Sequence, residues 1–192
     1  MNVYDFDGTI YEGDSSVDFV LHCYRRQPRL MAYAPRQLLS ALKHVIGSID
    51  TTHTKEDFFS FLACAGRVDD LVQSFWAARG HRIKEWYLMQ KKETDIVISA
   101  SPEFLLQPIC ESLGIEPPIA TRMNPRNGKI SGINCKGAEK VQRFAEQFPS
   151  ATIQEFYSDS LSDAPLAALA EHAFLVKQNK LKPWPERSRT TL

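Results

Sequence analysis

The stretch that most constrains this chain is Asn2 to Thr9, which reads Asn-Val-Tyr-Asp-Phe-Asp-Gly-Thr. Val3, Tyr4 and Phe6 are β-branched or aromatic, the composition of a short buried strand. The strand runs into two carboxylates, Asp5 and Asp7, and breaks at Gly8-Thr9. In an open α/β sheet, ligands bind beyond the carboxyl ends of the strands. Two acids placed there repel one another unless a cation or a shared proton offsets their charge. A strand end without a chemical role has little reason to carry that cost.

Beyond this strand the chain changes character twice. Residues 17–26, 37–49, 54–65 and 68–90 carry apolar side chains at helical spacing, with Gly13, Pro28, Pro35, Gly66 and Gly80 as punctuation. Thr54 followed by Asp57 reads as a helix start. At Ile96-Val97-Ile98 strand composition returns, and the remainder alternates. A strand at 95–99 leads into a helix from Pro102 to Gly114. Asn127-Gly128 reads as a hairpin turn between 119–123 and 128–133. A helix over 137–147, a strand over 153–157, a helix over 164–171 and a strand over 173–176 complete the pattern. The tail from Lys180, rich in proline and charge, is expected to be partly disordered. The fold class expected is α/β: a doubly wound, Rossmann-like parallel sheet with a helical bundle inserted after the first strand.

Composition removes several function classes. The 192 residues include 23 basic and 23 acidic side chains, so no global field favours nucleic acid, and no nucleic-acid partner is expected. Cys23, Cys64, Cys110 and Cys135 form no C-x-x-C pair and lack zinc-type histidine spacing, which fits a reducing compartment. The five histidines are scattered without ligand spacing. No leader-like segment opens the sequence and no apolar run is long enough to span a bilayer, so a cytoplasmic protein is expected.

Asp5-Phe6-Asp7-Gly8-Thr9 resembles the first motif of the haloacid dehalogenase superfamily, Asp-x-Asp-Gly-Thr. Later strand ends match the rest of the set in order: Ser99 the second motif, Lys136 the third, and Asp159 with Asp163 the fourth. Ser158 and Ser160 stand where many members have glycine. The inserted helices, by place and length, are similar to the cap of the phosphoserine-phosphatase-like branch, which implies a core of residues 1–12 and 91–192 and a cap of residues 13–90. The resemblance implies a phosphatase using Mg²⁺, held by the Asp5 carboxylate, the Asp7 carbonyl and Asp159. Asp5 would be the nucleophile and Asp7 the general acid and base. Ser99, the Ala100 backbone and Lys136 would bind phosphate, with Asp163 in support. On this reading Ser101 caps the following helix, and Lys129 and Lys140 are surface cations. A receiver-like module that accepts phosphate without turnover is the alternative from another class.

The substrate is less defined. Asp14 stands near the acidic position of phosphoserine-specific relatives, yet residues 54–65 contain no arginine, and Ser99-Ala100-Ser101 replaces Ser-Gly-Gly. Tyr24-Arg25-Arg26-Gln27-Pro28, Ile98-Ser99-Ala100-Ser101-Pro102 and Tyr157-Ser158-Asp159-Ser160 resemble segments of phosphatidylglycerophosphatase C-type proteins. A small phosphorylated metabolite or a lipid phosphate is therefore the expected partner, with Arg122 a candidate contact. Phe58, Phe59, Phe61, Phe75, Trp76 and Trp86 are read as cap core. The stripe Leu38, Leu39, Leu42, Val45, Ile46 and Ile49 is expected to pack into the cap, with Arg25, Arg26, Arg29, Arg36 and Lys43 solvated around it. Peripheral membrane contact through that stripe is the less favoured reading.

Overall fold

The computed structural model describes residues 1–185. Among them, six strands form one sheet: β1 (Asn2–Tyr4), β2 (Ile96–Pro102), β3 (Ile119–Thr121), β4 (Ile153–Ser158), β5 (Ala170–Lys177) and β6 (Lys180–Pro183). Their spatial order is β3-β2-β1-β4-β5-β6, parallel except for the last pair. Val3 of β1 lies between Ile96 of β2 and Phe156 of β4. Strand order reverses between β1 and β4, so the crevice of a doubly wound sheet opens there. The tip of β1 carries Asp5, and the tip of β4 carries Asp159.

The period of two along each strand sorts side chains onto two faces. Val3, Ile96, Ile98 and Phe156 pack with Phe144 of α7 (Ala138–Gln147) and Leu166 of α8 (Ala164–Ala167). Tyr4, Val97 and Tyr157 face the other way, toward Leu105, Leu106 and Ile109 of α6 (Glu103–Leu113). Tyr4 and Tyr157 stack with ring centroids 4.8 Å apart. Helices on both faces cover the sheet, as an almost wholly parallel arrangement requires.

Five helices lie between β1 and β2: α1 (Ser15–Arg26), α2 (Ala34–Val45), α3 (Thr51–Phe58), α4 (Val68–Arg79) and α5 (Glu85–Gln90). Their aromatic residues join the core of the sheet rather than forming a separate one. Phe59, Phe61, Phe75 and Trp76 are buried in the cluster that contains Tyr4 and Phe6, with Phe58 and Trp86 packed on its edge. The Trp76 indole N–H donates to the Leu105 carbonyl at 2.7 Å, and its ring stands edge-on to Phe6 and Tyr11.

Several boundaries differ from the expected ones. α3 is capped by Asp50, whose Oδ1 accepts from the His53 N–H at 2.8 Å, while the Thr54 hydroxyl sits within the helix and donates to the Asp50 carbonyl. The reversal at Asn127-Gly128 forms, with Gly128 at φ 72°, but only a single bridge, Met123 to Ile130, accompanies it. The helix expected over 164–171 stops at Ala167, because Ala170 already pairs with Ile153. The chain after Lys180 begins as β6, hydrogen-bonded to β5, and Trp184 packs on Phe156 at 5.8 Å. The rest of the expected disordered tail, 186–192, lies outside the described residues.

The largest departure concerns α2. Its apolar stripe does not pack inward: Leu38, Val45 and Ile46 are 72%, 81% and 67% exposed, and Leu39 and Leu42 are exposed as well. Its sequestered positions are instead Ser40 and, in part, Gln37. The Gln37 amide donates to the Phe58 carbonyl at 2.7 Å and its oxygen accepts from the Tyr24 hydroxyl at 2.6 Å. Polar side chains thus satisfy donors and acceptors on the protein side of the helix and turn the leucines outward.

These two kinds of apolar position predict opposite outcomes. Phe156→Ala, at a fully buried site, should cost about 3–5 kcal/mol in urea unfolding. Leu38→Gln should leave stability within about 0.5 kcal/mol.

Candidate active site

The pocket lies where the crevice between the tips of β1 and β4 meets the helices inserted after β1. Asp5, Asp7, Gly8, Asp14, Ser99, Ala100, Ser101, Asn134, Lys136, Lys140, Asp159 and Asp163 all line it, and Lys55 enters from α3. The strand-end residues expected from the sequence therefore share one cavity. Arg122 does not. It is exposed, beside a separate groove with Glu103, Phe104 and Met123.

The lysine that meets Asp5 is Lys140, not Lys136. Lys140 Nζ lies 2.7 Å from Asp5 Oδ1 and 2.7 Å from Asp163 Oδ2. It is buried, contrary to the surface position expected for it. The reason is helical geometry. Lys136 precedes α7, whereas Lys140 is in the helix and shares a face with Phe144 four residues on, the side that packs on the sheet. A lysine at i with a core phenylalanine at i+4 was the available signal. Burial disfavours the Lys140 charge, but Asp5 and Asp163 overcome that and hold the ammonium above its ordinary pKa. Asp163 also accepts from the Ser158 hydroxyl at 2.8 Å. A serine in place of glycine at the end of β4 thus orients the acid that orients the lysine.

Asp7 is fixed by two donors. The Ser15 N–H at the start of α1 reaches Oδ1 at 2.6 Å, and the Ser101 hydroxyl reaches Oδ2 at 2.5 Å. Ser101 is thus committed to Asp7 and to Ser16, 2.9 Å away, and does not cap α6. Burial raises the Asp7 pKa, Asp14 adds to the rise, and the Ser101 and Ser15 donors oppose it. Asp14 itself caps α1, accepting from the Val17 N–H at 2.9 Å. Burial also raises the Asp5 carboxyl, against the pull of Lys140.

Gly8 explains the break after the acids. Its φ is 72°, and a Cβ there would fall 2.1 Å from Asp159 Oδ2. Only glycine lets the β4 acid approach the β1 loop this closely. Thr9 Oγ1 accepts from the Asp159 N–H at 2.9 Å. Lys84 donates to the Gly8 carbonyl and, at 2.9 Å, to that of Gln178, tying the start of α5 to the loop. Among the described residues, no donor reaches the Asp159 carboxylate or Asp5 Oδ2.

Two further residues, Lys55 in the pocket and Arg143 behind it, are not foreseen from sequence. Lys55 Nζ donates to the Ala100 carbonyl at 2.5 Å, and desolvation lowers its pKa to about 8, although Asp7 and Asp14 pull the other way. Arg143 is buried and donates to the carbonyls of Ala120 and Ile133, fixing the loop that carries Asn134. Ser99 is buried within β2, which continues past the expected end at 99 to Pro102 with an irregularity after Ile98, and its hydroxyl accepts from the Ser101 N–H at 3.0 Å.

A sequence model of the haloacid dehalogenase-like hydrolases matches residues 3–168. Protein CicA of Caulobacter vibrioides is 25% identical over 185 residues, covering 88% of this chain and 82% of that protein. A probable phosphatase of Mycobacterium tuberculosis is 33% identical over 104 residues, 47% of this chain and 36% of its own length. Among solved structures, a protein of unknown function from Bordetella pertussis superposes with a TM-score of 0.74 at 18% identity, covering 90% and 87% of the two chains. A phosphoserine phosphohydrolase-like protein from Francisella tularensis gives 0.59 at 15% identity, covering 93% and 88%. These two likenesses establish the fold.

The Gly8 contact can be isolated by a matched pair. Gly47 has a similar φ of 74° but nothing within 4 Å of a Cβ. Gly47→Ala should cost about 1 kcal/mol in urea unfolding from backbone strain alone, and Gly8→Ala about 2–4 kcal/mol.

Proposed function

Since this chain belongs to the haloacid dehalogenase-like hydrolase family, we propose that it is a Mg²⁺-dependent phosphatase that cleaves a phosphomonoester through an aspartyl phosphate on Asp5. The observation that carries this reading is the buried Asp5–Lys140–Asp163 array in the pocket that also holds Asp7 and Asp159. Residues 13–90 would act as the cap and residues 1–12 and 91–192 as the core.

The donor set fits a hard divalent cation. Five carboxylates and three lysines line the pocket, an excess of negative charge that such a cation offsets. Among the described residues, no three His, Cys, Asp or Glu side chains form a metal-binding group by themselves. Mg²⁺ does not need one, because it keeps several waters and takes one or two carboxylates with substrate oxygens. Asp5, Asp159 and the Asp7 carbonyl would hold it. When bound it would neutralise charge on the phosphoryl oxygens.

Each protein group then has a task. Lys140 occupies Asp5 Oδ1 and so fixes the carboxylate plane, leaving Oδ2 to attack phosphorus in line. As the new oxygen–phosphorus bond forms, the bond to the substrate alkoxide breaks, and Asp7 gives that oxygen a proton. In the second half, Asp7 takes a proton from water, whose oxygen displaces Asp5 and frees inorganic phosphate. Ser99 and the main-chain N–H of Ala100 would bind phosphoryl oxygens, with Lys136 near the pocket wall. Lys55, facing the same cavity from the cap, would meet the substrate's negative charge. The substrate would be a small phosphorylated metabolite or a lipid phosphate. The receiver-like alternative has no use for Asp7, which two donors hold in the pocket.

Turnover of p-nitrophenyl phosphate and a panel of phosphorylated metabolites, with Mg²⁺ and with a chelator, tests the reading. Asp5→Asn should lower kcat by at least about a thousandfold with an almost unchanged unfolding midpoint, and chelation should abolish the wild-type rate. Undiminished turnover in either case refutes the mechanism.

Lys55 supplies a pH signature. Its ammonium is charged below a pKa of about 8, so anion capture by the free enzyme weakens as pH rises through that value. kcat/KM should therefore fall on the alkaline side in the wild type. Lys55→Met should remove that limb and raise KM by about tenfold, with a smaller effect on kcat.

A further inference from the structure

We propose that the outward face of α2 is a docking surface for an anionic lipid bilayer. An amphipathic helix in a globular protein normally turns its apolar stripe toward the core. α2 does the reverse. Leu38, Leu42 and Val45, with Ile46 at the helix end, recur at three- and four-residue spacing on the solvent side, and Met31 of the preceding turn is exposed too. The flank next to this stripe, through Gln37, Ala41 and His44, each one residue before a stripe position, lines the catalytic pocket. A contiguous exposed patch of this kind marks an interaction surface.

Charge selects the occupant. Between Asp18 and Asp50 the sequence holds Arg25, Arg26, Arg29, Arg36 and Lys43 and no acidic residue, although the whole chain is neutral. Of these only Arg36 pairs with a carboxylate, that of Asp57, among the described residues. Arg25, Arg26, Arg29 and Lys43 are exposed on α1, on the turn after it, and on α2 itself. An exposed apolar face carried on an acid-free, net-basic segment matches an interface of acyl chains beneath anionic headgroups. A second copy of this chain meets the patch less well, because a twofold contact would oppose one acid-free segment to another. No helix among the described residues is long and apolar enough to cross a membrane, so the helix would lie in the interface plane. The pocket, lined by the adjacent flank of the same helix, would then open near the headgroup layer.

Flotation with vesicles tests this without reference to catalysis. The wild-type chain should rise with vesicles of phosphatidylcholine mixed with phosphatidylglycerol, remain below with phosphatidylcholine alone, and be released by high salt. Leu38→Gln combined with Leu42→Gln should lower the partition coefficient by at least about tenfold. Arg25→Gln, Arg26→Gln and Lys43→Gln together should also weaken binding and flatten its salt dependence. Circular dichroism and the unfolding midpoint should match the wild type in both variants. Failure of the wild type to float with anionic vesicles overturns the proposal, as does flotation of the double leucine variant at the wild-type level. A lipid-free dimer that the leucine variant dissolves assigns the face to a second copy and overturns it equally.

Discussion

One ammonium between two carboxylates organises the catalytic end of this molecule. Lys140 comes from the helix after β3, Asp5 from the tip of β1, and Asp163 from the turn after β4. Three segments far apart in sequence therefore converge on a single buried nitrogen. Burying charge is costly, and a pair deprived of one partner leaves the other uncompensated. Such a contact tolerates little displacement, so it dictates where the three segments end. It also divides the work of Asp5, whose Oδ1 is held while Oδ2 stays open to the pocket.

The switch in strand order supplies the complementary constraint. Because β1 and β4 are neighbours, Asp5 and Asp159 emerge side by side, and the chain after Asp5 must turn immediately. Gly8 makes that turn at positive φ and brings its backbone against Asp159. Thr9 and Lys84 secure the loop from either side. The short motif at the start of the chain is thus as much a statement about backbone clearance as about acids. Asp-Gly-Thr encodes the turn, the close approach and the anchor in consecutive residues.

The strand, its two acids and the break at Gly8-Thr9 were legible in sequence because each depends on local chemistry, whereas the contacts of Gly8, Thr9 and Lys84 across the loop were not. Strand composition, a glycine at a break and an acid at a strand end need no knowledge of what lies opposite. The doubly wound class and the shared pocket were expected from them, and the order of the strands came only with the structure. Lys140 was missed because a lysine within a helix reads as solvated unless its face is known, and the nearby Lys136 sits at a loop position that looks freer to act. Ser101 was misread for a related reason. A serine before a helix is a good cap, and only the approach of α1 to β2 gives it Asp7 as a better acceptor. Lys55 carried no signal at all, since its position over the pocket depends on how the inserted helices fold back onto the strand tips.

α2 shows the limit of periodicity most clearly. A repeat of three and four residues defines which side chains share a face, but it says nothing about which way that face points. Here the decision falls to the polar side. Gln37 bonds Phe58 and Tyr24, and Arg36 bonds Asp57. Had the leucines turned inward, those groups would have lost their partners, and the neighbouring core is already filled by Phe59, Phe61 and Leu30. The helix is oriented by satisfied hydrogen bonds and a closed core, so its hydrophobic surface remains for something outside the chain. That same orientation puts Gln37, Ala41 and His44 on the pocket wall, so the pocket and the exposed leucines share one helix.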